Sequence, residues 1–325
     1  MLKSEKPYFG LRGGWLTFWI TLACGADMTL YGYDQGVFSG VIISHDFLLL
    51  HNLEGPTNTS LLGTVTAIYD VGCCLGSLLA YWLGERLGRR NTVLVGTTIM
   101  SIGALLQASS YSLGQMMMGR IIGGIGNGLN TSTAPIWQVE TWLIAHDRPD
   151  EAVQIISDLK DKDINDAFVQ LQMSEIQYSV EYERANSVSF SDILRGRAHE
   201  KSGTKTVRRL ILGMGAQAMQ QFTGINVTSY YLPTVLTKSV GLSETLARLL
   251  TACNSVQYLC FSMIGIPNVE RWGRRMLMIF GATVYPTEIN SLTMRTKGAA
   301  LGAATTWIFN FMVVEITPIG IQNLG

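Results

Sequence analysis

A short basic sequence that occurs twice constrains what this chain can fold into. Residues 85–90 read Glu-Arg-Leu-Gly-Arg-Arg, and residues 270–275 read Glu-Arg-Trp-Gly-Arg-Arg. Each copy ends one long apolar segment and begins the next, which is where two membrane helices joined as a hairpin make their turn. Because so many arginines are too costly to place in hydrocarbon, each copy lies in water, and the positive-inside rule assigns that water to the cytoplasm. The repeat therefore predicts a polytopic membrane protein with a duplicated architecture.

The composition of the chain is that of a membrane protein. Of its 325 residues 47% are hydrophobic and only 15% are charged, and the formal net charge is zero. The charged residues are confined to a few windows, and the apolar windows between them are long enough to cross a bilayer, which takes about 20 residues per helix. No segment presents a basic face, so the predicted partner is the lipid bilayer and not nucleic acid.

The distribution of charge also predicts the side of each loop. The loop 44–59 has no Lys or Arg and ends in a glycosylation sequon at Asn58, so we place it outside. The N-terminus, both basic turns and the segment 140–209 contain most of the 24 Lys and Arg residues, so we place them in the cytoplasm. The segments that we interpret as spans or partial spans are residues 13–43, 60–83, 91–118, 121–139, 210–237, 249–269 and 298–321. Only part of 91–118 can be one helix, and we expect its outer turn near Tyr111. Asp70 lies inside 60–83, and Glu315 interrupts 298–321.

The predicted fourth span, which we expect Arg120 to open, is rich in glycine. Small residues at helical spacing allow the backbones of neighbouring helices to approach closely, a common way for helices to pack in lipid. The glycines of this span are Gly123, Gly124, Gly126 and Gly128. We therefore expect this helix to pack closely against its neighbours.

All cysteines of the chain fall within apolar segments and lack the spacing of metal ligands. They are Cys24, Cys73, Cys74, Cys253 and Cys260. We interpret them as small buried hydrophobic residues, and neither a metal nor another cofactor is predicted. An enzyme is not predicted either, because the sequence contains no nucleophile with a base in a hydrogen-bonding context and no phosphate-binding loop.

Asp34 lies deep in the first span, within the sequence Tyr-Gly-Tyr-Asp-Gln-Gly. A carboxylate in the membrane is costly unless it is protonated, paired or facing a cavity, so it indicates a functional site. Asp27 lies earlier in the span on nearly the same helix face. Arg120 is the basic residue closest to a span interior and the natural counter-charge for Asp34, and such a pair can couple protonation to a change of shape. A purely structural ion pair between helices is the alternative.

A group of polar residues interrupts the apolar segment that begins at residue 210. Gln220 and Gln221 are followed by Gly224, by Asn226 and by two tyrosines. Amides supply hydrogen-bond donors and acceptors without charge, which suits a neutral polyhydroxylated ligand. Gly224 permits the helix to break, and transporters bind substrates at broken helices near the bilayer midplane. Hydrogen bonding between helices is the alternative explanation of these amides.

Taken together and in order, these motifs resemble those of the sugar porter family of the major facilitator superfamily, most closely its fungal proton-coupled members. The first-helix signature corresponds to residues 33–36, the fourth-helix motif to 119–120 with 135–140, and the end of helix ten to 285–288. The resemblance implies an all-α polytopic membrane protein with a helical bundle of the major facilitator type. It also implies that Asp34 takes the coupling proton, with Arg120 as its partner, and that seventh-helix amides hold the sugar.

The resemblance extends to further site residues. Asn254 corresponds to an amide contact of helix eight, beside Gln220, Gln221 and Asn226 of helix seven. The cytoplasmic gate motifs of the family correspond to Glu85, Arg86, Arg89, Arg90, Glu140, Glu270, Arg271, Arg274, Arg275, Glu288 and Arg295.

The chain departs from the family pattern at two internal points. Glu140 runs directly into residues that follow helix six in the family, so we expect helices five and six to be missing. Most of helices nine and ten are expected to be missing near residues 281–284, and helix twelve beyond Gly325. Each internal loss removes a pair of helices, so every remaining loop keeps its side of the membrane. The predicted bundle is incomplete, with about seven transmembrane helices instead of twelve.

Three regions follow from this correspondence. Residues 1–140 form the N-terminal membrane bundle of helices one to four, and residues 141–209 form a charged cytoplasmic linker in which amphipathic helices such as 148–159 are plausible. Residues 210–325 form a partial C-terminal membrane bundle with counterparts of helices seven, eight and eleven and a fused remnant of nine and ten.

Two hypotheses about function remain open. The first is transport of a sugar or polyol by proton symport with alternating access, in the plasma membrane and with a cytoplasmic N-terminus. The second is a truncated, transport-incompetent isoform or the product of an inaccurate gene model. Such a chain would at most bind or sense sugar or act in regulation, as an oligomer or with a full-length homologue.

Overall fold

The computed structural model describes residues 12–55, 58–87, 89–133, 149–186, 206–222, 225–257, 259–260 and 295–324. The long elements in these ranges are all α-helices, and no strand occurs among them, which confirms the all-α prediction. The helices are α1 (Gly13–Val41), α2 (His45–Leu50), α3 (Thr59–Leu87), α4 (Arg89–Ala108), α5 (Leu113–Thr133), α6 (Pro149–Lys160), α7 (Ala167–Asn186), α8 (Thr206–Phe222), α9 (Ile225–Lys238), α10 (244–257) and α11 (Arg295–Leu324).

Three helices of the described part are both long and apolar enough to cross a membrane. The spans are Thr59–Gly84 in α3, Asn91–Ala108 in α4 and Gly298–Gly320 in α11. Helices α1 and α5 are 29 and 21 residues long, so they have the length of a span, and they carry the acidic and basic residues that the sequence marks as functional.

The first basic sequence joins two helices, as the sequence predicts. Helix α3 ends at Leu87 and α4 begins at Arg89, so the two helices are one residue apart in sequence. Residues 270–275, the second basic sequence, lie outside the described residues, as does the short apolar run 276–287.

The turn between α4 and α5 falls at residues 109–112, where the sequence places it near Tyr111. Ser112 accepts a hydrogen bond at its Oγ from the backbone N–H of Gln115 at 3.3 Å, which satisfies one of the free donors at the start of α5. The side chain of Gln115 reaches back and donates to the carbonyl oxygen of Ser109 at 2.9 Å. This reciprocal arrangement fixes the point at which α5 begins, seven residues before Arg120.

Helix α5 packs closely against α3 and α4 through its glycines, which confirms the expected close packing. A Cβ atom at Gly124 or Gly128 would overlap backbone carbonyl oxygens of α3, and one at Gly126 would overlap the backbone of α4. The approach is mutual, since a Cβ atom at Gly72 or Gly76 of α3 would overlap carbonyl oxygens of α5. Without side chains between them, the backbones gain van der Waals contact that lipid cannot supply.

Helices α3 and α11 pack side by side in antiparallel orientation. The paired residues, in order along α3, are Gly63 with Pro318, Thr64 with Glu315 and Tyr69 with Trp307. The start of α3 and the end of α11 therefore meet at one end of the molecule, the end that the sequence assigns to the outside.

Helices α6 and α7 form a hairpin with its own apolar core at the opposite end. Their contact buries Ala152, Ile156, Val169 and Met173. The hairpin is joined to the start of α1 by an ion pair of 3.3 Å between Arg12 Nε and Asp158 Oδ1, whose carboxylate is fully buried. The amphipathic helix expected at 148–159 is thus confirmed as α6, while the division of the chain into three regions stays a prediction.

Two of the cysteines correct the sequence analysis. Cys73 is buried and Cys74 is half-buried, as expected, but Cys253 and Cys260 are exposed. The reason is that α10, which precedes Cys260, presents nearly all of its side chains on the surface of the molecule. An apolar side chain is as compatible with a surface that faces lipid as with a buried protein core.

Candidate functional site

Arg120 lies inside α5 and not at its start, which corrects the expectation that it opens a span. Its side chain is 1% exposed, and Nη2 donates to the carbonyl oxygen of Thr66 on α3 at 3.0 Å. The guanidinium carbon is 3.7 Å from the ring centroid of Phe38 on α1 and 5.0 Å from that of Tyr69. Aromatic faces attract a cation, and a desolvated contact of this kind is worth about 2 kcal/mol. These contacts explain why the arginine can be buried.

Asp70 of α3 lies beside this arginine and is fully buried. Arg120 of α5, Asn310 of α11 and Tyr230 of α9 all face its carboxylate. Even so, neither carboxylate oxygen makes a hydrogen bond of ordinary geometry within the described part of the chain. Asp70 therefore stands at the point where four helices meet.

Glu315 adds a second carboxylate to the same region. Its Oε1 accepts a hydrogen bond from Thr64 Oγ1 of α3 at 2.8 Å. Its Oε2 is buried and has no hydrogen-bond partner among the described residues. Glu315 also interacts electrostatically with Tyr231 of α9, as do Asp70 and Arg120. We call Asp70, Arg120, Asn310 and Glu315 the interface cluster, because they join α3 and α5 to α11.

Sequence reasoning noted Asp70 and Glu315 only as charges that interrupt apolar spans, and it did not single out Asn310. The signal for the two carboxylates was present, since an ionisable residue inside a span indicates function by default. Their convergence was not visible, because it depends on the pairing of α3 with α11.

Tyr231 donates a hydrogen bond to a carbonyl group that has no intrahelical donor because of a proline. Pro318 lies inside α11 and has no backbone N–H, so it cannot donate to the carbonyl oxygen of Val314, four residues earlier. The Oη of Tyr231 donates to this oxygen at 3.0 Å, across the contact between α9 and α11. The carbonyl oxygen of Val314, a fully buried residue, thus keeps a hydrogen-bond donor.

The structure brings two of the predicted substrate residues together. Gln221 at the end of α8 is buried, and its Oε1 accepts a hydrogen bond from Nδ2 of Asn226 at the start of α9. Helices α8 and α9 are separate elements that adjoin at Gly224, where the sequence predicts a break, although residues 223–224 themselves lie outside the described residues. Gln220 is half-buried, whereas Asn254 is exposed on α10.

Several predicted residues fall where the structure describes no side chain. Asp27 and Asp34 lie in α1, but their side chains are outside the described part, so the pairing of Asp34 with Arg120 stays a prediction. The same holds for the gate residues on helices, namely Glu85, Arg86, Arg89, Arg90 and Arg295. The remaining gate residues lie wholly outside the described ranges: Glu140, Glu270, Arg271, Arg274, Arg275 and Glu288.

A cavity of about 710 Å³ lies at the end of the molecule that the sequence assigns to the outside. Such a volume is within the usual range for sites of small ligands. Its floor includes Tyr231, next to the interface cluster, and its rim carries charged and polar groups. Lining residues include Ile42, Leu53, Glu54, Tyr231, Lys238 and Pro318.

Comparison with protein families and relatives gives a consistent result. A sequence model of the family described as "Sugar (and other) transporter" matches residues 19–141 and 140–287. The chain is 46% identical over 439 residues to the MFS-type transporter oryC of Aspergillus oryzae, which covers 100% of this chain and 81% of that protein. It is 26% identical over 447 residues to the sugar transporter STL1 of Saccharomyces cerevisiae, covering 99% and 77%.

Solved structures match the fold. The structure of the proton:xylose symporter XylE bound to 6-bromo-6-deoxy-D-glucose matches with a TM-score of 0.74 at 21% identity, covering 94% of this chain and 89% of that one. A partially occluded inward open structure of XylE from E. coli matches with a TM-score of 0.65 at 20% identity. At such low sequence identities the similarity shows a shared fold only.

Proposed function

This chain belongs to the sugar transporter family of the major facilitator superfamily, and from that membership we propose that it moves a sugar or polyol across the membrane together with a proton. The relatives and structural neighbours are integral membrane transporters and not enzymes. The observation that carries the proposal is the buried arginine of α5, held against the helix that carries Asp34.

The environment of Arg120 supports Asp34 as the carrier of the coupling proton. The guanidinium lies against Phe38, which follows Asp34 by about one turn on α1. Residues so spaced share a helix face, so position 34 is on the face of α1 that carries Phe38. Within the described part, Nε and Nη1 of Arg120 have no hydrogen-bond partner, which leaves two donors for a carboxylate. Protonation of Asp34 would weaken that pairing and free α1 to move.

The amides at the junction of α8 and α9 support recognition of a neutral polyhydroxylated substrate. Gln221 and Asn226 already contact one another where the two helices adjoin, and Gln220 lies beside them in sequence. Asn254 remains a proposed fourth contact. The outer cavity, with Tyr231 on its floor, gives a route from the outside toward the interface between helices. The relatives are named as a sugar transporter and a xylose symporter, which agrees with such a substrate.

The charged residues at the cytoplasmic ends of the spans complete the proposed cycle. In this proposal the cytoplasmic side is closed by gates. They are formed by the residues Glu85 to Arg90, the second basic sequence, Glu140, Glu288 and Arg295. Alternating access then moves the substrate between an outer and an inner opening. We infer that the chain works in the plasma membrane with its N-terminus in the cytoplasm.

Uptake measurements test this proposal directly. We expect cells that lack their own sugar porters to accumulate labelled hexose, pentose or glycerol when they express this chain, and a proton uncoupler to abolish the accumulation. Asp34→Asn is expected to abolish uphill accumulation, because a neutral amide cannot carry the proton. Asp46→Asn, an exposed carboxylate on α2, is the matched control and should accumulate substrate normally. Undiminished accumulation by Asp34→Asn would contradict the mechanism.

A second candidate, a shortened form that does not transport, is favoured by one specific observation. The two family matches meet at residues 140–141, where the sequence analysis expects helices five and six to be missing. The alignment with the Aspergillus relative spans 439 residues, whereas this chain has 325. Sequencing of the transcript across codons 140–142 and 281–284 distinguishes the two candidates. Extra coding sequence at these codons would restore the missing helices. If the chain is shown to be at the cell surface and no uptake is measured, the second candidate is favoured.

A further inference from the structure

The interface cluster contains more buried acid than buried base. Asp70 and Glu315 supply two carboxylates, and Arg120, which faces Asp70, supplies the one cation of the cluster. Asp70 and Arg120 are almost completely buried, and Glu315 has one buried oxygen without a partner in the described part. An uncompensated charge in such a place costs several kcal/mol, so a buried group usually becomes neutral instead. Arg120 alone therefore cannot compensate two ionised carboxylates in this cluster.

Asp70 is the better position for a proton. Glu315 is half-buried, and its Oε1 accepts a hydrogen bond from Thr64. Asp70 is 0% exposed, and neither of its oxygens makes a hydrogen bond of ordinary geometry to a described residue. Arg120 directs Nη2 to the carbonyl oxygen of Thr66 and makes no hydrogen bond to Asp70. The cost of an ionised carboxylate is thus larger at Asp70.

We propose that Asp70 binds a proton while α3 and α11 are in contact, and that this site is separate from Asp34. The groups that face it are Arg120 of α5, Tyr230 of α9 and Asn310 of α11, with Glu315 and Tyr231 in the same cluster. A neutral carboxyl group can both donate and accept, so it suits a neighbouring amide oxygen. The Oδ1 of Asn310 is such an acceptor, since it is buried and lacks a partner among the described residues.

The position of Asp70 links its proton to the contact between the two halves of the bundle. Asp70 and Arg120 belong to the first half, whereas Tyr230, Asn310 and Glu315 belong to the second. If the halves separate during transport, water reaches Asp70, and the carboxyl group can lose its proton to that water. The role of the proton in the cycle rests on the proposed transport function, but its binding in the closed interface does not.

Infrared spectroscopy of the purified chain in detergent or nanodiscs tests the inference without any transport. A protonated carboxyl group has its own carbonyl stretching band, which disappears on ionisation. We expect a pH-difference spectrum of the wild type to contain such a band, and Asp70→Asn to lack it. The exposed control Asp46→Asn should retain it.

A matched pair of substitutions locates the proton. Asn310→Leu changes the neighbour of Asp70, and Thr64→Val removes the hydrogen bond to Glu315. We expect the band to shift in Asn310→Leu and to stay in place in Thr64→Val. The opposite pattern, or a band that survives in Asp70→Asn, would overturn the inference. If the band is lost only in Asp34→Asn, the inference about Asp70 fails while the proposed function stands. If the bands behave as expected but the chain transports no substrate, the inference stands while the proposed function fails.

Discussion

At the scale of single residues, Tyr231 lets α11 contain a proline within the membrane. The hydroxyl group supplies the donor that Pro318 lacks, and it does so from a different helix. The proline of one helix and the tyrosine of another therefore form one unit, and their effects on stability should depend on each other.

We expect Tyr231→Phe to lower the free energy of unfolding by about 1–3 kcal/mol, because the carbonyl oxygen of Val314 would be left buried without a donor. In a Pro318→Ala background the same substitution should cost less than half as much, since an alanine at this position supplies a backbone N–H to Val314. Unfolding in detergent of the wild type, both single variants and the double variant measures this difference. Additive effects of the two substitutions would contradict the explanation.

At the scale of helices, the glycines of α5 decide how closely its neighbours approach. We expect Gly128→Ala to destabilise the bundle by about 1–3 kcal/mol, because the new methyl group would overlap the backbone of α3 at Cys73. Gly114→Ala is the matched control on the same helix, since a Cβ atom there meets open space. Thermal unfolding of the two variants in the same detergent measures the difference, and equal stability would be inconsistent with close packing.

The start of α7 gives a pH-dependent prediction at the same scale. The backbone N–H of Phe168 donates to Asp166 Oδ1 at 2.8 Å, and this bond, with a smaller effect of Lys162, holds the pKa of Asp166 below its ordinary value. Because the pKa is lower in the folded state, the cap contributes stability above the unfolded-state pKa. That contribution is lost as the pH falls through the folded-state pKa.

We expect Asp166→Ala to speed hydrogen exchange of the first-turn amides of α7 at neutral pH. In acid, below the folded-state pKa of Asp166, the difference from the wild type should disappear. Glu175→Ala, an exposed carboxylate in the middle of the same helix, should exchange like the wild type at both pH values. A difference that persists unchanged in acid would show that the charge of Asp166 is not what stabilises the cap.

At the scale of the whole molecule, the two ends should lie on opposite sides of the membrane. We expect Glu54→Cys, at the rim of the outer cavity, to react with an impermeant maleimide in intact cells. Asn165→Cys, in the loop between α6 and α7, should react only after the cells are permeabilised. The chain without an added cysteine gives the background from Cys253 and Cys260. Labelling of Asn165→Cys in intact cells would reverse the assigned orientation.

Much of the bundle could be predicted from local sequence, but the candidate site could not. The turn near Tyr111 and the close packing of α5 follow from hydropathy and glycine spacing, and the structure confirms them. The bounds of the spans were less accurate, since α5 begins at Leu113 and not at residue 121. Arg120 was expected at a span end, where a charge is cheap, because nothing local indicates that rings on two other helices cover it. The partners of the interface cluster were also invisible, since Thr64 and Glu315 are 251 positions apart.

The antiparallel contact of α3 with α11 has a consequence for how the protein is made. Ribosomes add about 5–20 residues per second, so with 251 positions between Thr64 and Glu315 roughly 10–50 s pass between the synthesis of the two partners. During that interval Asp70 and Thr64 stand in the newly inserted bundle without the helix that later covers them. Until α11 is made, the polar groups of α3 therefore lack the partners that α11 supplies, such as Glu315 for Thr64.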